Sequence, residues 1–579
     1  MPAPSAAQRL PEHIVEDIAH YISGTPPRPV SRDAHMAPAL PQKRFLLPLM
    51  HTCRAWRRAA CLLFFRVAQC RVPGDESVYG IRKRVTVRDA ADSGCGDCVA
   101  QVHMEVSIGE FFRPRKERDA MCAPASAVRA HGQMPSVRSL EMRFRLSGSD
   151  EMSRLSALAS SDPDARLAGG NFDALIDAVL HVAPNIRRVA IHTVTIGRRD
   201  AVLEECLWHM FRGTARLGQA CIDRLELSHV GYNNNPVGLP PPGALKCIVF
   251  DSGAVLREHV ELVRRSSETL EELRLPGIHE NLVPIWLGGD TGEWHVYPRL
   301  KHLRLVFYTP PPGKAALQGP QTNPFPRLET LVCLESAPFS IPVVILDVRA
   351  RIRHLKVRMD AAVEDALRQA TARSDCYAFP SLVYISLFSG QDGPPLPSPV
   401  PSALSWVSRI GPSLRTAQFG NLCAGRVNYD SVCHGTLDTL QTLDIYGSPL
   451  TVAQAASILC ACPRLLKAQV SLEYVPEEPG KSTPPSAEIK RLQRKHREDS
   501  PGVRLLGLEM LQHWSARPMG GAIVLLADLV PSVSRVSASI SPHVSEADLM
   551  AHIASARRRS PYNGRTHLDR VQFSVGHDC

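Results

Sequence analysis

Along much of the chain, apolar residues recur in one short rhythm: an apolar position, a second three residues on, and a third two residues later. It appears at Leu270, Leu273 and Leu275, at Leu300, Leu303 and Leu305, and at Leu328, Leu331 and Cys333. It continues at Ile352, Leu355 and Val357, at Leu382, Ile385 and Leu387, and at Leu440, Leu443 and Ile445. Earlier copies stand at Val137, Leu140 and Met142, at Ile186, Val189 and Ile191, and at Ile222, Leu225 and Leu227. Weaker copies begin at Leu245, Leu414, Leu465, Val503 and Leu568. The last part of each copy alternates apolar and polar residues, which is the period of a half-buried strand.

Between copies the period changes to that of a helix. Phe172, Leu175, Ile176, Val179 and Leu180 fall on one helical face, and Pro184 ends that helix just before the next strand. Residues 451–464 repeat this grammar, with Thr451 as N-cap, an apolar face and then Pro463. Further helices are predicted over residues 201–217, 254–266 and 546–558. A strand, a helix and a second parallel strand make a right-handed crossover. Stacked copies of that unit make a solenoid whose strands line one face. Adjacent copies lie mostly about 23 to 38 residues apart, overlapping and exceeding the leucine-rich-repeat range.

The expectation for residues 136–579 is therefore α/β: an irregular leucine-rich-repeat-like solenoid, with parallel strands on the concave face and helices outside. A conventional α/β domain with leucines at chance spacing is the competing reading, and the number of clear copies argues against it. Polar, proline-rich loops beginning near Gly231, Thr309, Gly390 and Val475 interrupt the rhythm. Residues 71–135 carry no clear copy and are expected to form an irregular connection.

Composition narrows the setting. At 579 residues the chain exceeds one ordinary domain. Its 44% hydrophobic and 21% charged residues are those of a globular chain, not a disordered one. The net charge of +10 is mild for this length, unlike that of a dedicated nucleic-acid binder. The first residues lack the pattern of a signal peptide. The apolar run 522–527 is too short to span a bilayer, so no membrane association is expected. Sixteen cysteines, many in apolar segments as at Cys221, Cys247 and Cys333, suggest reduced core residues and a cytoplasmic or nuclear protein.

Residues 1–70 read as a helical segment with a proline-rich insertion. Leu10, Ile14, Ile18, Tyr21 and Ile22 form an amphipathic helix with Pro11 near its start, and a second apolar stretch holds Leu46, Leu47, Leu49, Met50, Cys53, Arg54 and Trp56. Over about residues 9–66 this pair resembles an F-box, in its leading Leu-Pro and its Cys-Arg-x-Trp group. The stretch between Ile22 and Phe45 is longer and richer in proline than the usual F-box connection. The resemblance implies docking onto a Skp-type adaptor and cullin scaffold of a cullin–RING ubiquitin ligase. The downstream repeats would then hold a protein substrate. The adaptor-facing positions it implies are Leu10, Pro11, Ile14, Ile18, Leu49, Cys53 and Trp56. The alternative is an interaction scaffold whose N-terminal helices only cap the solenoid, since terminal repeats need a cover.

The sequence carries no phosphate-binding glycine loop, HExxH helix or GxSxG elbow, so no enzyme activity or cofactor is expected. Cys95 and Cys98, with His103 and Cys122 nearby, lack a second pair at metal-site spacing, and they read as reduced loop cysteines rather than a metal site. Cys460 and Cys462 lie in a helical pattern and read as core. The basic runs 113–118 and 490–497 lack interleaved aromatics, which argues against nucleic-acid binding.

The residues between the apolar anchors point to the other face of each strand. Toward the N-terminal side they include Arg143, Arg188, His192 and Arg224. The partner-binding candidates are Arg274, His302, Arg304, His354, Lys356 and Arg358. The opposing acids are Glu141, Glu226 and Glu272, while later copies contribute Tyr384, Ser386, Thr442, Asp444 and Tyr446. This predicts a basic stripe on the concave face, suited to an acidic or phosphorylated protein partner.

Overall fold

The computed structural model describes residues 57–71 and 90–107 in part, 133–145, 177–193, 223–228, 245–305 and 323–388 in part, 411–420, 439–472 in part, 505–510, 516–559 in part and 571–577. The chain is α/β and forms two compact units, Met1–Trp286 and Leu287–Cys579.

In the first unit the strands are β1 (Val67–Arg71), β2 (Gln101–Ser107), β3 (Ser139–Arg145), β4 (Arg188–Thr193), β5 (Arg224–Ser228), β6 (Cys247–Ser252) and β7 (Glu272–Leu275). Each pairs in parallel with the next in sequence. Helix α1 (Arg257–Arg265) connects β6 to β7, and the short α2 (Val283–Leu287) lies at the boundary in sequence between the units.

The second unit repeats the plan with β8 (His302–Leu305), β9 (Thr330–Cys333), β10 (His354–Arg358), β11 (Tyr384–Phe388), β12 (Thr416–Gly420), β13 (Thr442–Leu450), β14 (Lys467–Leu472), β15 (Leu505–Met510), β16 (Arg535–Ile540) and β17 (Gln572–His577). These too pair in parallel, in chain order. Its connecting helices are α3 (Ile341–Val348), α4 (Ala361–Ala372), α5 (Val452–Ala461), α6 (Ala516–Leu529) and α7 (Glu546–Arg559). This sequential parallel topology is that of a solenoid-like α/β fold.

Each copy of the apolar rhythm has a structural job. The second and third anchors form two buried rows: Leu303, Leu331, Leu355, Ile385, Ala417 and Leu443 in one, and Leu305, Cys333, Val357, Leu387, Phe419 and Ile445 in the other. The helices supply the opposing layer: α5 packs on β13, β14 and α6, α3 on α4, and α6 on α7. Buried Ala455, Ala456, Ile458 and Leu459 make the apolar face of α5.

The first anchor closes a turn. Leu300, Leu328, Leu382 and Val137 donate their amides to the carbonyls of Tyr297, Phe325, Phe379 and Met134, three residues earlier. In each of these turns a proline follows the acceptor: Pro298, Pro326, Pro380 and Pro135. Proline presets φ for the second position of a β-turn, so these prolines belong to the repeat itself. The four acceptor residues are buried, which lengthens the repeat by one anchor beyond the rhythm visible in the sequence.

One hydrogen-bond pattern then recurs from strand to strand. The carbonyl just before each strand accepts two successive amides from the next repeat. Lys301 receives Glu329 and Thr330, Glu329 receives Arg353 and His354, Arg353 receives Val383 and Tyr384, and Val383 receives Arg415 and Thr416. The first unit does the same from Arg66 through Ala100, Arg138, Arg187, Asp223 and Lys246.

Several expectations meet the structure directly. Helices α1, α5 and α7 lie within or nearly coincide with the predicted segments, and residues 177–182 are helical as predicted. Strand β2 extends the ladder into the stretch expected to be an irregular connection, and β1 makes a strand of the last residues of the segment expected to be helical. Val99, Val102 and Met104, all buried, carry the same rhythm on β2. Val533, Val536 and Ala538 carry it on β16. Methionine, alanine and valine in place of leucine hid these copies. Cys247, Cys333 and Cys462 are buried thiols outside any disulfide, as the sequence suggested for core cysteines. Among the described residues, no helix is long and apolar enough to cross a membrane.

Leu355 sits in the middle of the second unit's buried row. Leu355→Ala should cost about 2–5 kcal/mol through the cavity it leaves, read as a lower midpoint in urea unfolding followed by circular dichroism. His259 on α1 is fully buried with its ring 4.8 Å from that of Phe250, and burial pushes its pKa down to about 4. The folded state thus holds the neutral ring. Its contribution is complete above the unfolded value of about 6.5 and is lost as pH falls toward 4, about 3 kcal/mol in all. Acid titration should show that loss in the native chain and its absence in His259→Leu.

Candidate functional site

The candidate site is the polar face of the ladders, opposite the helical layer. Because side chains alternate along a strand and register is kept, polar positions line up across strands into rows. The two units fill these rows differently.

In the first unit the rows form ion-paired clusters around three glutamates. Glu141 on β3 meets Arg143 at 2.6 Å, His103 at 3.2 Å and His192 at 3.8 Å. Glu226 on β5 meets Arg188 at 2.7 Å and Arg224 at 2.5 Å. Glu272 on β7 meets Arg224 at 3.0 Å and Arg274 at 2.8 Å. All three glutamates are buried. Burial alone would raise the carboxyls of Glu226 and Glu272. The neighbouring arginines more than offset that and hold both below the ordinary carboxylate range. Burial, with Glu272 adjacent, pushes the Cys247 thiol far up and keeps it protonated. Such a network contributes little net stability relative to apolar packing, but removing one partner strands a buried charge.

The second unit is arranged otherwise. His302, Thr330, His354, Tyr384, Thr416 and Thr442 make one row, and Arg304, Val332, Lys356, Ser386, Gln418 and Asp444 the next. Arg358 and Phe388 begin a third, which continues through Gly420 to Tyr446. From β8 to β13, the cations of these rows stand on β8 and β10.

From β11 to β13 the face becomes aromatic and amide-rich. Tyr384 stacks on His354 with ring centroids 5.9 Å apart, and its hydroxyl donates to Gln418 Oε1 at 2.5 Å. Gln418 Nε2 in turn donates to Asp444 Oδ2 at 3.5 Å. The ring of Tyr446 lies so close over Gly420 that a β-carbon there would meet it at 2.2 Å. Glycine is what lets this ring lie flat on the sheet. Burial, then the charge of Asp444, raises the Tyr446 phenol.

The structure places the predicted partner-binding residues as follows. His302, Arg304, His354, Lys356 and Arg358 share one face of β8 and β10, half-buried. Arg274 belongs to the other unit, where it is buried against Glu272. The expected stripe therefore divides: Arg143, Arg188, Arg224 and Arg274 are ion-paired within the first unit, so there the glutamates answer the basic residues. Sequence counting registered only that acids were fewer, because it could not show one glutamate serving two or three cations. The Tyr384–Gln418–Asp444 chain was also missed, since its members lie about 30 residues apart in sequence. The adaptor-facing candidates Leu10, Pro11, Ile14, Ile18, Leu49, Cys53 and Trp56 lie outside the described residues.

Cys95 and Cys98 bracket a single 3-10 turn, Gly96–Cys98, with the Cys98 amide donating to the Cys95 carbonyl at 2.9 Å. Among the described residues, no group of three or more His, Cys, Asp or Glu is arranged to hold a metal ion. Compared with known proteins, the chain matches no family model, and no curated protein matches it at a significant level.

Arg224 bridges two buried glutamates, and its replacement checks the network. Arg224→Ala should destabilise the chain by about 2–3 kcal/mol, after discounting for the partial exposure of the guanidinium. Arg224→Lys should retain part of that stability, as read from thermal unfolding at neutral pH.

Proposed function

We propose that this chain is a non-catalytic receptor, the substrate-recognition subunit of a cullin–RING type ubiquitin ligase. In this reading the F-box-like N-terminal helices dock a Skp-type adaptor. A leucine-rich-repeat-like solenoid, with its strands on the concave face, binds a protein target carrying negative charge. The observation that carries the binding half is the row structure of the second unit. A parallel ladder presents aligned half-buried cations, aromatics and amides on one face, with the apolar rows turned to the helices. Rigid rows of this kind suit recognition of an extended partner surface. The ligase half is supported by the sequence of Leu10, Pro11, Ile14, Ile18, Leu49, Cys53 and Trp56.

A specific observation favours a second reading, a leucine-rich-repeat interaction scaffold whose N-terminal helices only cap the first repeat. Ala60, Cys61 and Phe65 are buried, and the Arg66 carbonyl accepts the amides of Ala100 and Gln101 at the start of β2. The end of the N-terminal segment is thus built into the first step of the ladder.

The two readings separate in one experiment. The full chain, co-expressed with a Skp-type adaptor, should retain it through size-exclusion chromatography. Leu10→Ala with Pro11→Ala, or Trp56→Ala, should reduce retention by at least about ten-fold without lowering the thermal midpoint. If the unaltered chain retains no adaptor, the ligase role falls. If the variants lose stability and the adaptor never binds, the segment is a cap.

A further inference from the structure

On the second unit, Arg304 and Lys356 stand in the same row with Val332 between them. Two strand spacings separate their backbones, about 10 Å. Arg358, two residues past Lys356 on β10, lies on the same face about 7 Å further along the strand. Val332 is short, so the two longer cations flank a shallow apolar floor. The Lys356 ammonium sits 6.0 Å from the Phe388 ring centroid. Ser386, the register neighbour of Lys356 on β11, has a fully buried hydroxyl with no hydrogen-bond partner among the described residues. Burial lowers the Lys356 pKa, and the nearby Arg304 lowers it further. Among the described residues, the charge acting on this lysine is thus another positive one.

We propose that strands β8–β11 form the docking surface for an acidic peptide segment of the protein target, its carboxylates lying over Arg304, Lys356 and Arg358. This rests on the receptor reading and gives it a partner class. The spacing selects among anions. One phosphate gathers its donors onto three oxygens of a single group, but the backbone positions that carry these cations are spread over about 7–10 Å in two directions. An extended peptide advances about 3.3 Å per residue, so carboxylates two or three residues apart match that spread. Val332 and Phe388 receive the apolar stems between the charges, and half-burial strengthens each attraction by lowering the effective dielectric. Toward β13 the same row reaches Asp444, which repels a further carboxylate and sets the boundary of the acidic stretch.

The test uses the full chain and a fluorescein-labelled synthetic peptide in which glutamates alternate with serine and tyrosine, read by fluorescence anisotropy. The glutamate peptide should bind at least about ten-fold more tightly than its glutamine counterpart. Arg304→Glu and Lys356→Glu should each abolish most of that preference. Lys467→Glu, the same charge change beyond Asp444 on β14, should alter affinity by less than about two-fold. Where a reversal variant fails to give the native circular-dichroism spectrum, Lys356→Gln should still weaken binding several-fold.

Equal binding of the glutamine peptide overturns the proposal. So does an equal effect of Lys467→Glu, which would reduce the effect to net charge. Tighter binding of a single-phosphoserine version of the peptide, or of a short RNA, overturns it in favour of that ligand. Glutamate-selective binding with no adaptor retention removes the ligase role and leaves the surface. Adaptor retention with charge-insensitive peptide binding removes only the surface.

Discussion

The rest of the structure depends on a carbonyl that accepts two amides. At nearly every described step from β1 to β7 and from β8 to β14, the residue before a strand receives two successive N–H groups from the next repeat. A parallel strand pair alone tolerates slippage by two residues without exposing its apolar face. The doubled acceptor, followed by the first anchor's turn, fixes the start of each strand relative to the last. Connections of very different length can then be carried between strands without changing which residues align.

Fixed register turns scattered sequence positions into chemistry. In the first unit it sets Glu141, Glu226 and Glu272 among arginines and histidines of their own and neighbouring strands, which holds the carboxyl pKa values of Glu226 and Glu272 low. In the second it sets Arg304 and Lys356 across a valine and joins Tyr384, Gln418 and Asp444 into a chain of hydrogen bonds. The same backbone architecture therefore yields an ion-paired face in one unit and, in the other, a face of half-buried cations, aromatics and amides. Buried polar rows of the first kind order the sheet, whereas half-buried rows of the second kind can exchange solvent for a partner.

Proline has a role here that its usual reading as a breaker conceals. Pro135, Pro298, Pro326 and Pro380 follow buried acceptors in the turns that begin their repeats. Restricting φ at that turn lowers the entropy lost when each repeat orders. It also leaves no amide to be satisfied at that turn position.

The sequence by itself determined the α/β class, the parallel strands and much of the helical layer, because a two-residue period and a helical period are local properties. It also placed the cations and acids on the polar side of each strand, since alternation alone decides a side. It could not reveal the copies at Val99 and Val533, where small or unbranched apolar residues replace leucine. Nor could it show which polar residues become neighbours. Glu226 touches Arg188, and Gln418 touches Tyr384, only because register brings together positions 38 and 34 residues apart. Whether a basic residue is neutralised or left facing outward depends on distances of a few ångströms across strands. The tertiary structure alone decides that.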